Sequence, residues 1–171
     1  LFWMLVGAGI WGLNPALPGP LALAWGFKAA STLDSMLGYR RGRLRWLGTA
    51  GARLDDLLVW LPCRLVAMSL PLAAGQPGRC LGVLAAARRD GATDPSPNAG
   101  LSQAAYAHVI GVQLGGSNRY GGQIRQKPLL GAGLAAPDQA AVLQMLQLNR
   151  RLELLWLTAA AAGAFITKTL S

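Results

Sequence analysis

The sequence predicts an all-α, polytopic helical membrane protein with broken or re-entrant helices and a polar loop region rich in proline and glycine. Hydrophobic residues make up 53% of the 171 residues and charged residues 13%, about half of the roughly 25% that soluble domains carry. No stretch alternates apolar and polar residues for long enough to predict a sheet. Arginines cluster at the ends of apolar segments, a pattern typical of loops that face the cytoplasm: Arg40, Arg41, Arg43 and Arg45, then Arg88 and Arg89, then Arg150 and Arg151.

The net charge of +9 at pH 7 raises the alternative of a nucleic-acid-binding protein. Such proteins interleave their basic residues with aromatic side chains on an otherwise polar surface, and this sequence does not. We therefore expect a lipid bilayer, and no nucleic acid, among the partners.

The first 45 residues predict two helices joined by a turn. Residues 1–13 are apolar and predict the end of a membrane helix, with the upstream part of the protein missing from the sequence. Residues 14–20, NPALPGP, predict a turn because proline disfavours helix at the preceding residue. A helix follows over 20–37 with proline in its first turn. Residues 38–45 predict a basic connector that begins with a helix-capping glycine.

Residues 46–74 form the longest apolar passage, and a spanning helix needs about 20 apolar residues. Pro62 and Pro71 interrupt this passage, and a proline in a helix interior removes a hydrogen bond. We therefore expect a broken or re-entrant helix here. That arrangement is permitted where the backbone is buried in protein or lines a water-filled cavity.

The remaining sequence predicts shorter helices between polar loops. Ser102 is a favourable helix N-cap, and Asp138 in the first turn of a helix that ends at two arginines suits the helix dipole. The predicted elements, in order, are a helix over 79–89, a proline turn over 94–98, a helix over 102–114, a glycine-rich loop through 133, a helix over 136–151 and a short or truncated membrane span over 152–166.

A polar stripe follows one face of the predicted helix over 20–37. Lys28, Ser31, Thr32 and Ser35 are spaced to lie on that face, and Asp34 borders it. The hydroxyl groups alone favour interhelical hydrogen bonding, which serine and threonine supply in membranes. The acidic residue near the helix end is a candidate for chemistry.

Ionisable residues also interrupt the longest apolar passage, where such groups are costly and usually face a bundle interior or a wet cavity. Arg53 and Asp56 are spaced to form an ion pair, while Asp55 points elsewhere and Arg64 follows two turns later. One interpretation is an ion-pair network that fixes helix packing. The other is that the aspartates hold Mg²⁺ and the arginines contact phosphate or carboxylate. Both stay open on the residues alone.

The stretch over 94–122 combines a proline turn with a glycine-rich segment, GVQLGGSNRYGG. Glycine amides beside Arg119 predict an anion-binding nest. The segment matches neither the dinucleotide-binding glycine pattern nor the P-loop. Its candidate substrate-binding residues are Ser96, Asn98, Gln113, Gly115, Gly116, Arg119 and Tyr120.

Several motifs in one order resemble the adenosylcobinamide-phosphate synthases, or cobinamide synthases, of cobalamin biosynthesis. The resemblance covers nearly the whole chain and implies a single partial domain over 1–171 that corresponds to the C-terminal half of such a protein. The motifs are FW at 2–3, TLDSMLGYR at 32–40, GARLDDLL at 51–58, LPCRL at 61–65, RRDGATDPSPNAG at 88–100, AAYAHVIGVQLGG at 104–116, NRYGG at 118–122 and KPLLG at 127–131.

The resemblance implies a carbon–nitrogen ligase of the bacterial inner membrane, a multi-pass protein that uses ATP and Mg²⁺. It would join the corrinoid adenosylcobyric acid to aminopropanol or its phosphate, alongside other enzymes of the cobalamin pathway. We predict catalytic roles for Asp34, Asp55 and Asp56, with Mg²⁺ on the last two. The candidates for binding substrate or phosphate are Lys28, Arg53 and Arg64 together with the seven residues of the proline–glycine stretch.

The sequence departs from the usual family pattern at four polar positions. The family usually has asparagine at Ser31 and Val59, histidine at Asp94 and glutamate at Gln103. These departures favour, as an alternative, a non-catalytic membrane relative with a regulatory or scaffolding role. A small-molecule membrane transporter is a further alternative, because charged residues lie beside expected helix breaks.

Overall fold

The computed structural model of the chain describes residues 1–37, 45–94 and 96–170, and most of them are helical. The predicted basic connector over 38–45 lies outside these residues except for its last residue. By their contacts the residues divide into two compact units, Leu1–Val59 with Leu155–Ser171 (unit 1) and Trp60–Leu154 (unit 2), and the single domain stays a prediction. The elements are α1 Phe2–Leu13, α2 Pro20–Leu37, α3 Arg45–Ala73, α4 Cys80–Gly91, α5 Pro97–Ile110, β1 Leu114–Tyr120, β2 Gln123–Leu130 and α6 Gln139–Leu170.

In unit 1, α1 and α2 pack against each other on either side of the predicted turn. The side chain of Asn14 accepts a hydrogen bond of 3.0 Å from the backbone N–H of Ala16, which stabilises the reversal. Gly7 allows the close approach, since a Cβ atom there would lie 2.7 Å from the Cα of Pro20. The predicted turn over 14–20 and helix over 20–37 are confirmed.

Helix α3 runs without a break through both Pro62 and Pro71, so the expectation of a broken or re-entrant helix is wrong. Each proline removes one backbone hydrogen bond, at a cost of about 3 kcal/mol in a helix interior. Packing outweighs this loss, because Leu70 and Pro71 are fully buried and each buried aliphatic side chain contributes about 1.5–3 kcal/mol. Among the described residues, one helical stretch, Trp46–Ala73, has the length and composition to cross a membrane. The multi-pass arrangement stays a prediction.

In unit 2, α4 and α5 cross closely at two glycines. A Cβ atom on Gly91 would lie 2.5 Å from the carbonyl carbon of Gly100. Helix α5 begins at Pro97, five residues before the predicted start. Ser96 is its N-cap and accepts from the Ala99 N–H at 3.3 Å. The predicted cap, Ser102, lies inside the helix, because the earlier proline already fixes a helical backbone angle at the first position.

The predicted glycine-rich loop is an antiparallel hairpin of β1 and β2, so the all-α class is wrong in this region. The strands escape sequence prediction because β1 is rich in glycine and polar residues and shows no apolar alternation. The turn between β1 and β2 did carry a sequence signal for a hairpin, namely two consecutive glycines. Gly121 and Gly122 both have positive φ, 52° and 82°, as a tight two-residue hairpin turn requires.

Helix α6 joins the two last predicted elements into one helix over Gln139–Leu170. Asp138 lies just before this helix and its carboxylate accepts from the Ala141 N–H at 2.7 Å, so it acts as a cap. Arg150 and Arg151 consequently lie in the interior of the helix, whereas the sequence placed them in its last turn.

Candidate functional site

Unit 1 brings the predicted catalytic carboxylates of α2 and α3 together. The carboxylate of Asp55 interacts with the charges of Asp34 and Asp56 and hydrogen-bonds with the Ser31 side chain. The helices approach closely at Gly51, where a Cβ atom would lie 3.5 Å from the backbone nitrogen of Asp34. The GARLDD motif therefore combines a small contact residue with two acids one turn later.

The Asp55 carboxylate also carries an unsatisfied oxygen. Its Oδ1 atom is buried and has no hydrogen-bond partner within the described part of the chain. The described residues contain no group of three or more metal-ligating side chains. Mg²⁺ is commonly held by one or two carboxylates together with water and substrate phosphate, so the donor set fits this ion. Magnesium on Asp55 and Asp56 stays a prediction.

The other unit 1 candidates are more exposed. Lys28 on α2 and Arg53 on α3 both have exposed side chains. Ser35 donates to the Ser31 carbonyl oxygen of its own helix at 2.8 Å, so this hydroxyl of the polar stripe is used locally. Ser31 is the stripe residue that interacts with α3, through the Asp55 carboxylate.

In unit 2, Arg64 is held in place by three contacts. Its Nη1 atom donates to Asn98 Oδ1 at 3.1 Å and to the Trp60 carbonyl oxygen at 2.8 Å. Its guanidinium carbon also lies 4.1 Å from the centre of a Trp60 ring, within the range of a cation–π interaction. The structure thus unites two predicted substrate-binding residues that are 34 positions apart.

Asn98 is the centre of this arrangement and is only 3% exposed. Its backbone carbonyl oxygen accepts from Cys63 Sγ at 3.0 Å and from Ser102 Oγ at 3.1 Å. Asp94 Oδ1 accepts from the Ser96 N–H at 2.9 Å, which confirms the predicted turn before α5. The DPSPNAG motif is therefore a capped turn that fixes one buried amide against an arginine.

A cavity of about 200 Å³ lies beside Arg64 within unit 2. Helices α3, α4 and α5 and the turn before α5 contribute its walls. The lining residues are Arg64, Ala87, Arg88, Gly91, Ala92, Asp94, Pro97 and Leu101.

The candidates near the hairpin serve its own geometry. Gln113 Oε1 accepts from the Gly133 N–H at 3.1 Å. Gly115 and Gly116 have φ of 91° and 74° and lie at the irregularity in strand pairing. Arg119 is exposed on β1. The side chain of Tyr120 lies outside the described residues, and the anion-binding nest stays a prediction.

A partly buried acid–histidine pair in unit 2 was missed by the sequence analysis. Asp90 Oδ2 accepts from His108 Nε2 at 2.7 Å and from the Gly131 N–H at 3.0 Å. Burial raises the pKa of Asp90, but hydrogen bonds from Gly131, His108 and Arg89 outweigh burial and hold that pKa below its usual range. The pair joins α4, α5 and the end of β2. The only sequence signal was that His108 is the single histidine.

Comparison with known proteins gives the family of this chain. The model of a family described as CobD/Cbib protein matches residues 1–149. The chain belongs to the CobD/CbiB family. The match contains every candidate residue of both units, from Lys28 to Tyr120.

Curated CobD/CbiB relatives carry the name cobalamin biosynthesis protein CobD. The chain is 47% identical to the protein of Synechocystis sp. over 88% of this chain and 42% of the relative. It is 43% identical to that of Geobacter metallireducens over 82% of this chain and 41% of the relative. It is 39% identical to that of Mycobacterium tuberculosis (strain H37Rv) over 82% of this chain and 44% of the relative. The chain thus spans less than half the length of these relatives. No solved structure matches the chain.

Membership in the CobD/CbiB family confirms the resemblance seen in the motifs. The paired carboxylates of unit 1 and the Arg64–Asn98 pair of unit 2 both lie within the family match.

Proposed function

We propose that this chain is part of an ATP-dependent amide ligase of cobalamin biosynthesis. The enzyme joins a carboxylate of adenosylcobyric acid to aminopropanol or its phosphate. The observation that carries the proposal is the Arg64–Asn98 pair beside a cavity, in a chain of the CobD/CbiB family. A fixed guanidinium is suited to bind phosphate or carboxylate oxygens with two parallel hydrogen bonds.

Amide formation from a carboxylate requires activation of the acid and removal of a proton from the amine. Bound ATP and Mg²⁺ would supply the phosphoryl group and the screening of its charge. The protein holds the negative groups with Arg64, which Asn98 and Trp60 keep oriented. In unit 1, Asp55 and Asp56 are the proposed holders of Mg²⁺, and Asp34 is the proposed acceptor of the proton.

We also propose a location in the bacterial inner membrane, which the apolar composition and the candidate span Trp46–Ala73 support. We place the corrinoid, the amine acceptor and the lipid bilayer among the partners, with other enzymes of the cobalamin pathway. Exposed tryptophan side chains on α2 and α3, such as Trp25 at 71% and Trp46 at 80% exposure, support an apolar environment around these helices.

Complementation tests the function directly. The full-length gene is expressed in a bacterial strain that lacks its cobinamide synthase, and growth is measured without added cobinamide. Growth with the wild-type gene and loss of growth with Arg64→Gln supports the ligase. Arg150→Gln, which removes the same charge from an exposed position of α6, is the matched control. Absence of growth with a well-expressed wild-type gene contradicts the ligase and favours the non-catalytic relative.

A further inference from the structure

The cavity beside Arg64 is too small for most of the ligands that the proposed ligase handles. Its volume is about 200 Å³, whereas pockets for drug-sized ligands measure about 300–1,000 Å³. A nucleotide or a corrinoid ring therefore does not fit inside it. A single small group at the end of a larger molecule does.

Two arginines from different helices, Arg64 and Arg88, are among the residues that line the cavity. Arg64 on α3 is held by Asn98 and by the Trp60 ring. Arg88 on α4 is exposed, and within the described part of the chain no hydrogen bond or ion pair engages its side chain. One arginine is thus preorganised and the other is available to close on a ligand.

The remaining polar groups at the cavity are already engaged by the turn before α5. Asp94 Oδ1 accepts from the Ser96 N–H, and the Ala99 N–H at the start of α5 donates to Ser96 Oγ. The helix start therefore offers fewer free donors than an uncapped one. Recognition of an anion falls to the two arginines, and the Asp94 carboxylate opposes it.

We propose that Arg64 and Arg88 together form a subsite for one phosphate group. Two guanidinium groups offset the two negative charges of a phosphate monoester, and each presents a planar fork that matches its oxygens. The ligand's identity as a substrate of the reaction rests on the proposed ligase function, while the subsite itself does not. The phosphate belongs either to the nucleotide or to a phosphorylated amine acceptor.

Inorganic phosphate is the first probe, added to the purified full-length protein in detergent. Because Trp60 stacks on Arg64, its fluorescence reports binding, and Trp60→Phe identifies its share of the signal. We expect saturable binding that Arg88→Gln weakens about 10- to 100-fold, the effect of losing charge-assisted hydrogen bonds. We expect Asp94→Asn to tighten binding, because it removes an opposing charge and keeps the oxygen that accepts from Ser96. The control Arg150→Gln is expected to bind like the wild type.

Several outcomes overturn the subsite. They are absence of phosphate binding by the wild-type protein, equal affinity in Arg88→Gln and wild type, or equal weakening in Arg150→Gln. Binding of acetate as tightly as phosphate contradicts the choice of phosphate over carboxylate. Circular dichroism and gel filtration verify that each variant is folded.

Ligation assays then separate the two sources of the phosphate. A higher KM for ATP in Arg88→Gln assigns the subsite to the nucleotide, and a higher KM for the phosphorylated amine alone assigns it to the acceptor. The two proposals also fail differently. Phosphate binding without any amide product supports the subsite and contradicts the ligase function. Amide synthesis that Arg88→Gln does not affect supports the ligase function and contradicts the subsite.

Discussion

The two polar clusters of this protein differ in how many of their polar side-chain atoms have hydrogen-bond partners within the protein. In unit 1, Asp55 faces two like charges, and its buried Oδ1 atom has no hydrogen-bond partner among the described residues. In unit 2, the Asn98 amide oxygen, the Arg64 guanidinium and the Asp94 carboxylate all engage neighbours. A satisfied cluster is a fixed scaffold, while an unsatisfied buried carboxylate is costly unless a ligand completes it. This difference predicts loss of function without loss of stability from changes to the unit 1 carboxylates, and loss of stability from changes to the helix crossing and the helix cap that hold Asn98 in unit 2.

The largest expected effect is on catalysis in unit 1. We expect Asp55→Asn and Asp56→Asn each to lower the rate of amide formation about 100-fold or more, as loss of a charge-stabilising group does. The measurement is product formation by the full-length enzyme in membranes. Ser35→Ala is the matched control, because among the described residues its hydroxyl bonds within α2 alone. Membrane insertion is expected to be unchanged in all three variants. Wild-type turnover in both aspartate variants rules out the metal proposal.

The next effect is on the packing of unit 2. Gly100→Ala places a methyl group against the backbone oxygen of Gly91 and 2.7 Å from Asp94 Cβ, so we expect a loss of about 1–3 kcal/mol from overpacking. Thermal unfolding measures it. Gly82→Ala is the control, since nothing lies within 4 Å of that Cβ position. Alanine in a helix is more favourable than glycine by about 0.5–1 kcal/mol, so this control gains stability. Equal melting temperatures for the two variants contradict the close crossing.

A smaller effect distinguishes the observed helix cap from the predicted one. Ser96→Ala removes the N-cap of α5 and is expected to cost about 1 kcal/mol. Ser102→Ala removes a hydroxyl that donates to carbonyl oxygens of its own helix and also interacts with the Cys63 thiol, so we expect a smaller loss in the free energy of unfolding than for Ser96→Ala. Chemical denaturation measures both. A larger loss in Ser102→Ala than in Ser96→Ala contradicts the stabilising role of the Ser96 cap.

The smallest effect is the pH dependence of the Asp90–His108 pair. The pKa of Asp90 is lowered in the folded state, so its contribution is fully present above the unfolded pKa of about 3.9. That contribution disappears as the pH falls through the folded pKa. We therefore expect Asp90→Asn to lower the melting temperature at pH 6, and its difference from the wild type to shrink as the pH falls below about 3.9. A difference that stays constant as the pH falls from 6 to below about 3.9 contradicts the lowered pKa of Asp90 in the folded protein.

Local patterns in the sequence predicted the parts of the fold that local forces determine. Proline and asparagine gave the turn at 14–20, and the helix over 20–37 has its predicted bounds. Helix α3 was predicted as broken because the stabilisation of Pro71 comes from burial, which no local pattern reveals. The hairpin was missed because its strands are held by positive-φ glycines and backbone pairing, without an apolar face.

The contacts of the candidate site likewise divide into those that the sequence predicted and those that it did not. The carboxylates of GARLDD were predicted from their unusual position in an apolar segment, and the Arg64–Asn98 contact unites residues that motifs had selected separately. The link from Asp90 to His108 and Gly131 spans 18 and 41 positions of the chain. Contacts of that range depend on how α4, α5 and β2 pack, so the sequence offered no pattern from which to predict them.

The alkylation rate of the buried Cys63 thiol reports local opening within unit 2. It is 5% exposed and donates to the Asn98 carbonyl oxygen, so an alkylating reagent reaches it only when the start of α5 lifts away from α3. Cys80 is less buried and reacts without such an opening. The ratio of the two labelling rates measures how often the Asn98 turn opens, and a ligand that locks Arg64 in place will slow the first rate alone.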